Sequence, residues 1–284
     1  MAGSVSETRS DHNIATPPTR QLFIYYLLGR PSGELRLGND FLGHWQEEES
    51  AFLFFSAAAP RQVDALICAQ SQLTLVDHYQ MPYEQWQGGN VERFTVGNIA
   101  IRPPWGPAGP KLAGRMEIVL DPGVVFGNGH HTTTRDCLQA MQVLWAQYSP
   151  AQVLELGCGT GVLALAAAVL GARRVLALDQ NRLAVQTART NVQRNAFDKR
   201  ILTIQGRAED HVGMPFDLVM ANIHFAVMQP LLAGDAFSKH RYFILSGLLR
   251  SEARQIETLL AGKGARIMER WSGDSIWTTY LGRN

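Results

Sequence analysis

The run Val153-Leu154-Glu155-Leu156-Gly157-Cys158-Gly159-Thr160-Gly161 constrains the fold most. A short apolar strand ends in an acid and turns through alternate glycines into an Ala/Leu-rich helical stretch. Glycine reaches positive φ without a Cβ penalty and lets a ligand approach the main chain closely. Such a turn lies at the carboxyl end of a strand, where open α/β sheets bind ligands. Around it, apolar runs at Gln152–Leu156, Arg174–Asp179, Ile201–Gln205, Phe216–Ala221 and Arg241–Ser246 alternate with helical patterns at Gly161–Gly171, Asn181–Asn195 and Phe225–Phe237. Strands that read as uninterrupted apolar runs are covered on both faces, which implies a parallel sheet. After the helical stretch Ser251–Lys263, the runs Arg266–Trp271 and Ile276–Leu281 are joined by a turn so short that only antiparallel pairing is open to them. The expected fold is α/β, with seven strands and a terminal antiparallel pair.

Upstream the pattern changes. Residues 1–19 are Ser/Thr/Pro-rich with almost no large apolar groups, and are expected to be a disordered tail rather than a signal peptide. Residues 20–93 carry strand-length runs at Leu22–Leu28 and Ala51–Phe55 and helical spacing over Arg61–Gln70 behind Pro60, a small α+β module. Phe94–Arg102 reads as one strand stopped by Pro103-Pro104, and the Gly/Pro-rich Trp105–Gly114 as a linker. Residues 94–114 then join the module to a larger domain over 115–284. No stretch approaches the roughly 18 apolar residues of a membrane span. Three cysteines, Cys68, Cys137 and Cys158, widely spaced and odd in number, fit a reducing cytoplasm better than a disulfide framework.

Charge adds one constraint. Lys plus Arg is 26 against 25 Asp plus Glu, a net +1, which argues against a stable nucleic-acid partner. The balance is a cancellation: residues 1–110 hold 7 basic and 11 acidic side chains, and residues 111–284 hold 19 and 14.

The second strand-length run also ends in an acid, Asp179, 24 residues after Glu155. An acid there can accept both hydroxyls of a ribose. A dinucleotide site would read GxGxxG, whereas this turn reads GxGxG, and Glu155 is a poor neighbour for a pyrophosphate. The pair suits a cofactor with an amine and a positive centre. The pattern resembles the first motif of class I S-adenosylmethionine-dependent methyltransferases, whose Rossmann-like seven-stranded sheet ends in the same antiparallel pair. The resemblance implies that Glu155 and the loop Gly157, Cys158, Gly159 and Gly161 hold the methionine part of S-adenosylmethionine and that Asp179 holds the ribose. It also implies that Gln180 or Asn181 lies beside the adenine and that Glu209 lies at its edge. For Glu209 a solvated loop acid is the equal alternative.

The fourth run leads into Ala221-Asn222-Ile223-His224-Phe225. Many amino-methyltransferases carry a related Asn/Asp-Pro-Pro-aromatic sequence here. An attacking amine must be neutral, and a lysine amine of pKa about 10.4 is mostly protonated at neutral pH. An Asn oxygen and a neighbouring carbonyl can orient its N–H bonds and aim the lone pair. Asn222, Ile223 and Phe225 are therefore the candidate catalytic residues, with Asn222 also beside the cofactor. The competing reading is that Asn222 caps the helix that follows.

A second segment narrows the family: Asp121-Pro122-Gly123, Phe126-Gly127-Asn128-Gly129 and His131-Thr132-Thr133-Thr134. Its adjacent histidines lack a third ligand at zinc spacing, so no metal is expected. The segment is similar to the loop of the bacterial methyltransferases that modify the eleventh protein of the large ribosomal subunit. Pro103-Pro104-Trp105, Ala221-Asn222-Ile223 and Leu245-Ser246-Gly247-Leu248-Leu249 agree as well, so the resemblance covers about residues 94–284. It implies N-methylation of lysine side chains or an N-terminus of a ribosomal protein in the cytoplasm. It also implies that Phe126, Gly127 and Thr133 close the cofactor site and that the N-terminal module selects the substrate. His224-Phe225 departs from the small aliphatic residues usual there. Another protein or a small amine as acceptor stays open, and so, more distantly, do a nucleotide-binding oxidoreductase and a non-catalytic binding module.

Overall fold

The computed structural model describes residues 16–109, 114–273 and 275–284. Residues 1–15 of the expected tail and 110–113 of the expected linker lie outside the described residues. The chain begins with an antiparallel sheet of β1 (Gln21–Leu28), β2 (Phe41–Glu47), β3 (Ser50–Phe55) and β4 (Thr74–Pro82), ordered β2-β3-β1-β4, with α1 (Pro60–Ala69) preceding β4. Side-chain alternation gives this sheet two faces. Tyr25, Leu27, Leu53 and Phe55 pack on Val63 and Leu66 of α1. Leu22, Ile24 and Phe54 face the other way, towards the rest of the molecule. The sequence reading found β1, β3 and α1 but not β2 or β4. β4 is exposed along almost its whole length, so no apolar run announces it.

A short helix α2 (Tyr83–Trp86) follows. Phe94–Arg102 is a hairpin rather than one strand, with β5 (Phe94–Val96) and β6 (Ile99–Arg102) folding back at Gly97-Asn98. β7 (Met116–Val119) pairs parallel with β6. Val96, Ile99, Ile101 and Ile118 are buried against Leu138 and Met141 of α3 (Thr132–Gln147).

The large sheet comprises β8 (Gln152–Leu156), β9 (Arg174–Asp179), β10 (Ile201–Gln205), β11 (Leu218–Asn222), β12 (Tyr242–Leu249), β13 (Arg266–Trp271) and β14 (Trp277–Arg283), ordered β10-β9-β8-β11-β12-β14-β13. β14 runs antiparallel between β12 and β13, the expected terminal pair. The connecting helices are α4 (Val162–Leu170), α5 (Arg182–Arg194), α6 (Ala208–His211), α7 (Phe225–Ala233) and α8 (Arg250–Gly262). Successive strand residues feed opposite layers. Val153 packs with Leu163 and Ala164 of α4, while Leu154 and Leu156 pack with the layer of Leu232 and Ile256 from α7 and α8. Each such fully buried side chain contributes about 1.5–3 kcal/mol, which holds the carboxyl ends of β8, β9 and β11 in fixed relation. Among the described residues no helix is long and apolar enough to cross a membrane.

Candidate functional site

The glycine turn folds back on the end of β9, with the Gly157 and Cys158 amides both donating to the Leu178 carbonyl at 2.9 Å. Gly157 has φ +74, and a Cβ there would stand 2.4 Å from Ile223 Cγ2. Only glycine lets the tip of β8 lie this close to the segment that leaves β11. Asp179 is locked in place: Oδ2 accepts from the Gly159 amide at 3.0 Å and Oδ1 from the Asn181 amide at 2.9 Å. Burial raises its pKa above the ordinary value in spite of those two donors. Cys158 is a buried wall of the turn, its thiol held well above the usual range by burial.

Glu155 is only 2% exposed, and its Oε2 has no hydrogen-bond partner. Burial, with a smaller push from Asp179, holds its carboxyl well above the ordinary carboxylate range. A buried acceptor without a donor costs about 1–3 kcal/mol, so this oxygen marks a place for a group that brings a donor or a positive charge. A methionine-like ammonium and sulfonium meet that requirement; a pyrophosphate would aggravate the defect.

On the adenine side the expected residues differ in placement. Asn181 is buried and caps α5, its side chain accepting from the Leu183 amide at 2.9 Å, while its Nδ2 is left without a partner. Gln180 is exposed, its carbonyl held by Gln205 at 3.1 Å. Glu209 is exposed and ion-paired with Arg207 at 3.2 Å, which lowers its pKa. Of the three, only Asn181 offers an idle buried donor.

The Phe126–Thr134 segment rides directly on the glycine turn. The Thr160 amide donates to the Phe126 carbonyl at 3.2 Å and its hydroxyl to the Gly127 carbonyl at 2.6 Å. His131 caps α3, with Nδ1 accepting from the Thr133 amide at 3.3 Å. That nitrogen is therefore unprotonated, and the Thr133 hydroxyl, 2.8 Å away, donates to it. The lone pairs of Thr133 Oγ1 are then free to accept from Asn222 Nδ2 at 3.2 Å. This bond decides which way the Asn222 amide points: nitrogen towards Thr133, oxygen away. At Gly247, where φ is +83, a Cβ would stand 2.8 Å from the Ile223 carbonyl oxygen and 3.3 Å from Asn222 Oδ1. Two acceptors thus converge beside a residue that cannot carry a side chain.

Asn222 does not cap a helix, which removes the competing reading: α7 starts at Phe225, His224 occupies the cap position, and it makes no side-chain cap bond. Phe225 is half-buried against the apolar layer around α7 and α8. The sequence reading did not single out His131, Thr160 or Gly247 as site residues. All three lie inside the sequence motifs, His131 beside Thr133, Thr160 within the glycine turn and Gly247 in the Leu245–Leu249 run, but the motifs alone give them no role. Among the described residues no group of three or more His, Cys, Asp or Glu is placed to hold a metal ion.

Counted from β8, the large sheet has strand order 3-2-1-4-5-7-6. Together with an acid-tipped first strand, a glycine turn, an acid at the end of the second strand and an Asn at the end of the fourth, this defines a class I S-adenosylmethionine-dependent methyltransferase. The family model described as Ribosomal protein L11 methyltransferase (PrmA) matches residues 55–283, and the chain belongs to that family. Among its relatives, the ribosomal protein L11 methyltransferase of Desulforamulus reducens is 36% identical over 237 residues, covering 78% of this chain and 75% of the relative. That of Myxococcus xanthus is 30% identical over 230 residues, covering 80% and 76%. The crystal structure of ribosomal protein L11 methylase from Lactobacillus delbrueckii subsp. bulgaricus superposes with a TM-score of 0.61 at 27% identity, covering 68% of this chain and 98% of that one. The family match begins at Phe55, upstream of the Phe94 at which the motif resemblance starts, and leaves β1 and β2 outside it.

Proposed function

We propose that the protein methylates amine nitrogens, lysine side chains or the N-terminus, of ribosomal protein L11 in the cytoplasm, with residues 20–93 as the recognition module. One observation carries the reading: the oriented acceptor pair, Asn222 Oδ1 and the Ile223 carbonyl, beside the glycine turn. When bound, S-adenosylmethionine supplies an electrophilic methyl group. Glu155, Gly157, Cys158, Gly159 and Gly161 hold its amino-acid end. Asp179 holds the ribose, Asn181 lies on the adenine side, and Phe126, Gly127 and Thr133 close over it.

Asn222 Oδ1 and the Ile223 carbonyl accept the two N–H bonds of a neutral amine, leaving its lone pair directed at the methyl group. The amine has shed its ordinary ammonium proton to solvent before binding. The product ammonium can lose a further proton in the same way, so no side chain is needed as a permanent base. Orientation of this kind contributes several kcal/mol to the barrier. Incubating the protein with labelled cofactor and purified ribosomal protein L11 tests the reading. Label in L11 that Asn222→Ala abolishes, with S-adenosylhomocysteine binding retained, supports it. Label in RNA, or none in L11, overturns it.

A further inference from the structure

Beside the site lies a cleft of about 740 Å³ between the open face of the N-terminal sheet and the segment that covers the glycine turn. The face has one cause: Trp45 and Phe52 are cross-strand partners, as are Ile24 with Phe54 and Ile24 with Tyr79, so alternate residues of four strands form one apolar face, aromatic on β2, β3 and β4 and aliphatic at Ile24 of β1. Trp86 packs edge-on against Phe54 at 5.3 Å, and Phe126, 52% exposed, forms the opposite wall. Among the described residues no Lys or Arg lines the cleft, and its one carboxylate is Glu47. His130 adds no positive charge at neutral pH, because burial and the nearby Arg135 hold its pKa below the ordinary value. The cleft borders the segment whose other end bonds Asn222. His131 lines it, lies 5.5 Å ring to ring from Phe126, and bonds the Thr133 that orients Asn222.

An aromatic face attracts a cation through its ring quadrupole, and it does so without requiring N–H donors. Methylation of a lysine removes N–H donors and keeps the charge. Rings are therefore suited to an alkylammonium at any stage of methylation, where a carboxylate cage reading N–H bonds is not. We propose that this cleft seats a lysine-bearing segment of the acceptor protein, running across the sheet from Trp45 on one edge strand to Tyr79 on the other, with its cationic side chains against these rings, Trp86 and Phe126 and with Glu47 at the rim. The inference rests on the methyltransferase reading and names a docking subsite for the acceptor protein, apart from the Asn222 and Ile223 oxygens that receive the reacting amine. It places specificity-determining residues in β2, which the family model leaves unmatched, as well as in β4.

The test uses the full chain and three peptides of one sequence carrying lysine, trimethyllysine or the neutral norleucine, titrated by the fluorescence of Trp45 and Trp86. Lysine and trimethyllysine peptides bind, and the norleucine peptide binds at least about tenfold more weakly. Trp45→Leu and Tyr79→Leu keep an apolar surface and remove the ring. Each raises the KM for the protein acceptor about three- to fivefold, with kcat and S-adenosylhomocysteine affinity unchanged. Tyr79 is 43% exposed on an edge strand, so its variant tests the idea without disturbing the core. Equal binding of the norleucine peptide, an unchanged KM, or a loss of S-adenosylhomocysteine affinity in either variant overturns the proposal. If the wild type methylates no protein while the peptides are still discriminated, the methyl-transfer reading fails and the cation site stands.

Discussion

Thr133→Val isolates the contact on which the proposed amine-orienting role of Asn222 depends. The substitution keeps the shape of a side chain that is 1% exposed and deletes one hydroxyl. That hydroxyl makes two bonds, donating to His131 Nδ1 at 2.8 Å and accepting from Asn222 Nδ2 at 3.2 Å. Each is worth about 1 kcal/mol to stability. At about 2–4 °C per kcal/mol for a domain of this size, melting should fall by about 4–8 °C. The catalytic cost is larger, because Asn222 loses the anchor that holds its oxygen towards the amine. A displacement on the order of 1 Å can cost about a hundredfold in rate, so kcat should fall between about ten- and a hundredfold. Thr133→Ser restores the hydroxyl and should recover most of the activity. Steady-state transfer of labelled methyl to L11 gives the rates, and dye-monitored melting gives the stability. A kcat within about threefold of wild type in the valine variant, with the expected drop in melting temperature, would refute the claim that Thr133 orients Asn222.

Three further outcomes follow from the same geometry. Gly247→Ala places a methyl 2.8 Å from the Ile223 carbonyl oxygen at φ +83, and should lower kcat more than tenfold while S-adenosylhomocysteine still binds, as calorimetry would show. Glu155 has a raised folded-state pKa, so the stability tied to its neutral form is present below about pH 4.5 and is lost as pH rises through the shifted value. Glu155→Gln should flatten that fall in the cofactor-free melting curve above about pH 4.5 and weaken cofactor binding; a pH dependence matching wild type would contradict the assignment. Asn181→Ala removes the α5 cap and should cost about 1 kcal/mol, read as a melting shift of about 2–4 °C that Asn181→Asp avoids.

The catalytic half is legible in sequence because its parallel strands are buried on both faces and appear as apolar runs: Gln152–Leu156, Arg174–Asp179 and Ile201–Gln205 are strands with the expected bounds. The N-terminal sheet is less legible, since β4 is an exposed edge and β2 carries Gly43 and mixed polarity, so neither shows a clean period. The glycine turn and Asp179 can be read locally, each being a few residues at the end of one strand. The bond that makes Asn222 useful joins residues 89 positions apart and depends on a histidine tautomer fixed by a helix cap. No spacing rule exposes that. Nor does the hairpin at Gly97-Asn98, where a sterically permissive pair splits what looks like one strand.

The segment over the glycine turn is gripped from its other side by the N-terminal module. Tyr83 Oη donates to the Gly123 carbonyl at 2.6 Å, Trp86 Nε1 to that of Val124 at 3.2 Å, and Gln87 Nε2 to that of Gly123 at 2.9 Å. Asn128 Nδ2 donates in return to the Gln87 carbonyl at 2.8 Å. One stretch of chain therefore joins the glycine turn to the N-terminal sheet, the proposed cofactor cover to the proposed recognition module. Whatever free energy the first ligand spends on ordering it is spared to the second, and linkage makes that advantage equal in both directions. A ligand on either side of that stretch bears on the other through these four hydrogen bonds, whichever of the two arrives first.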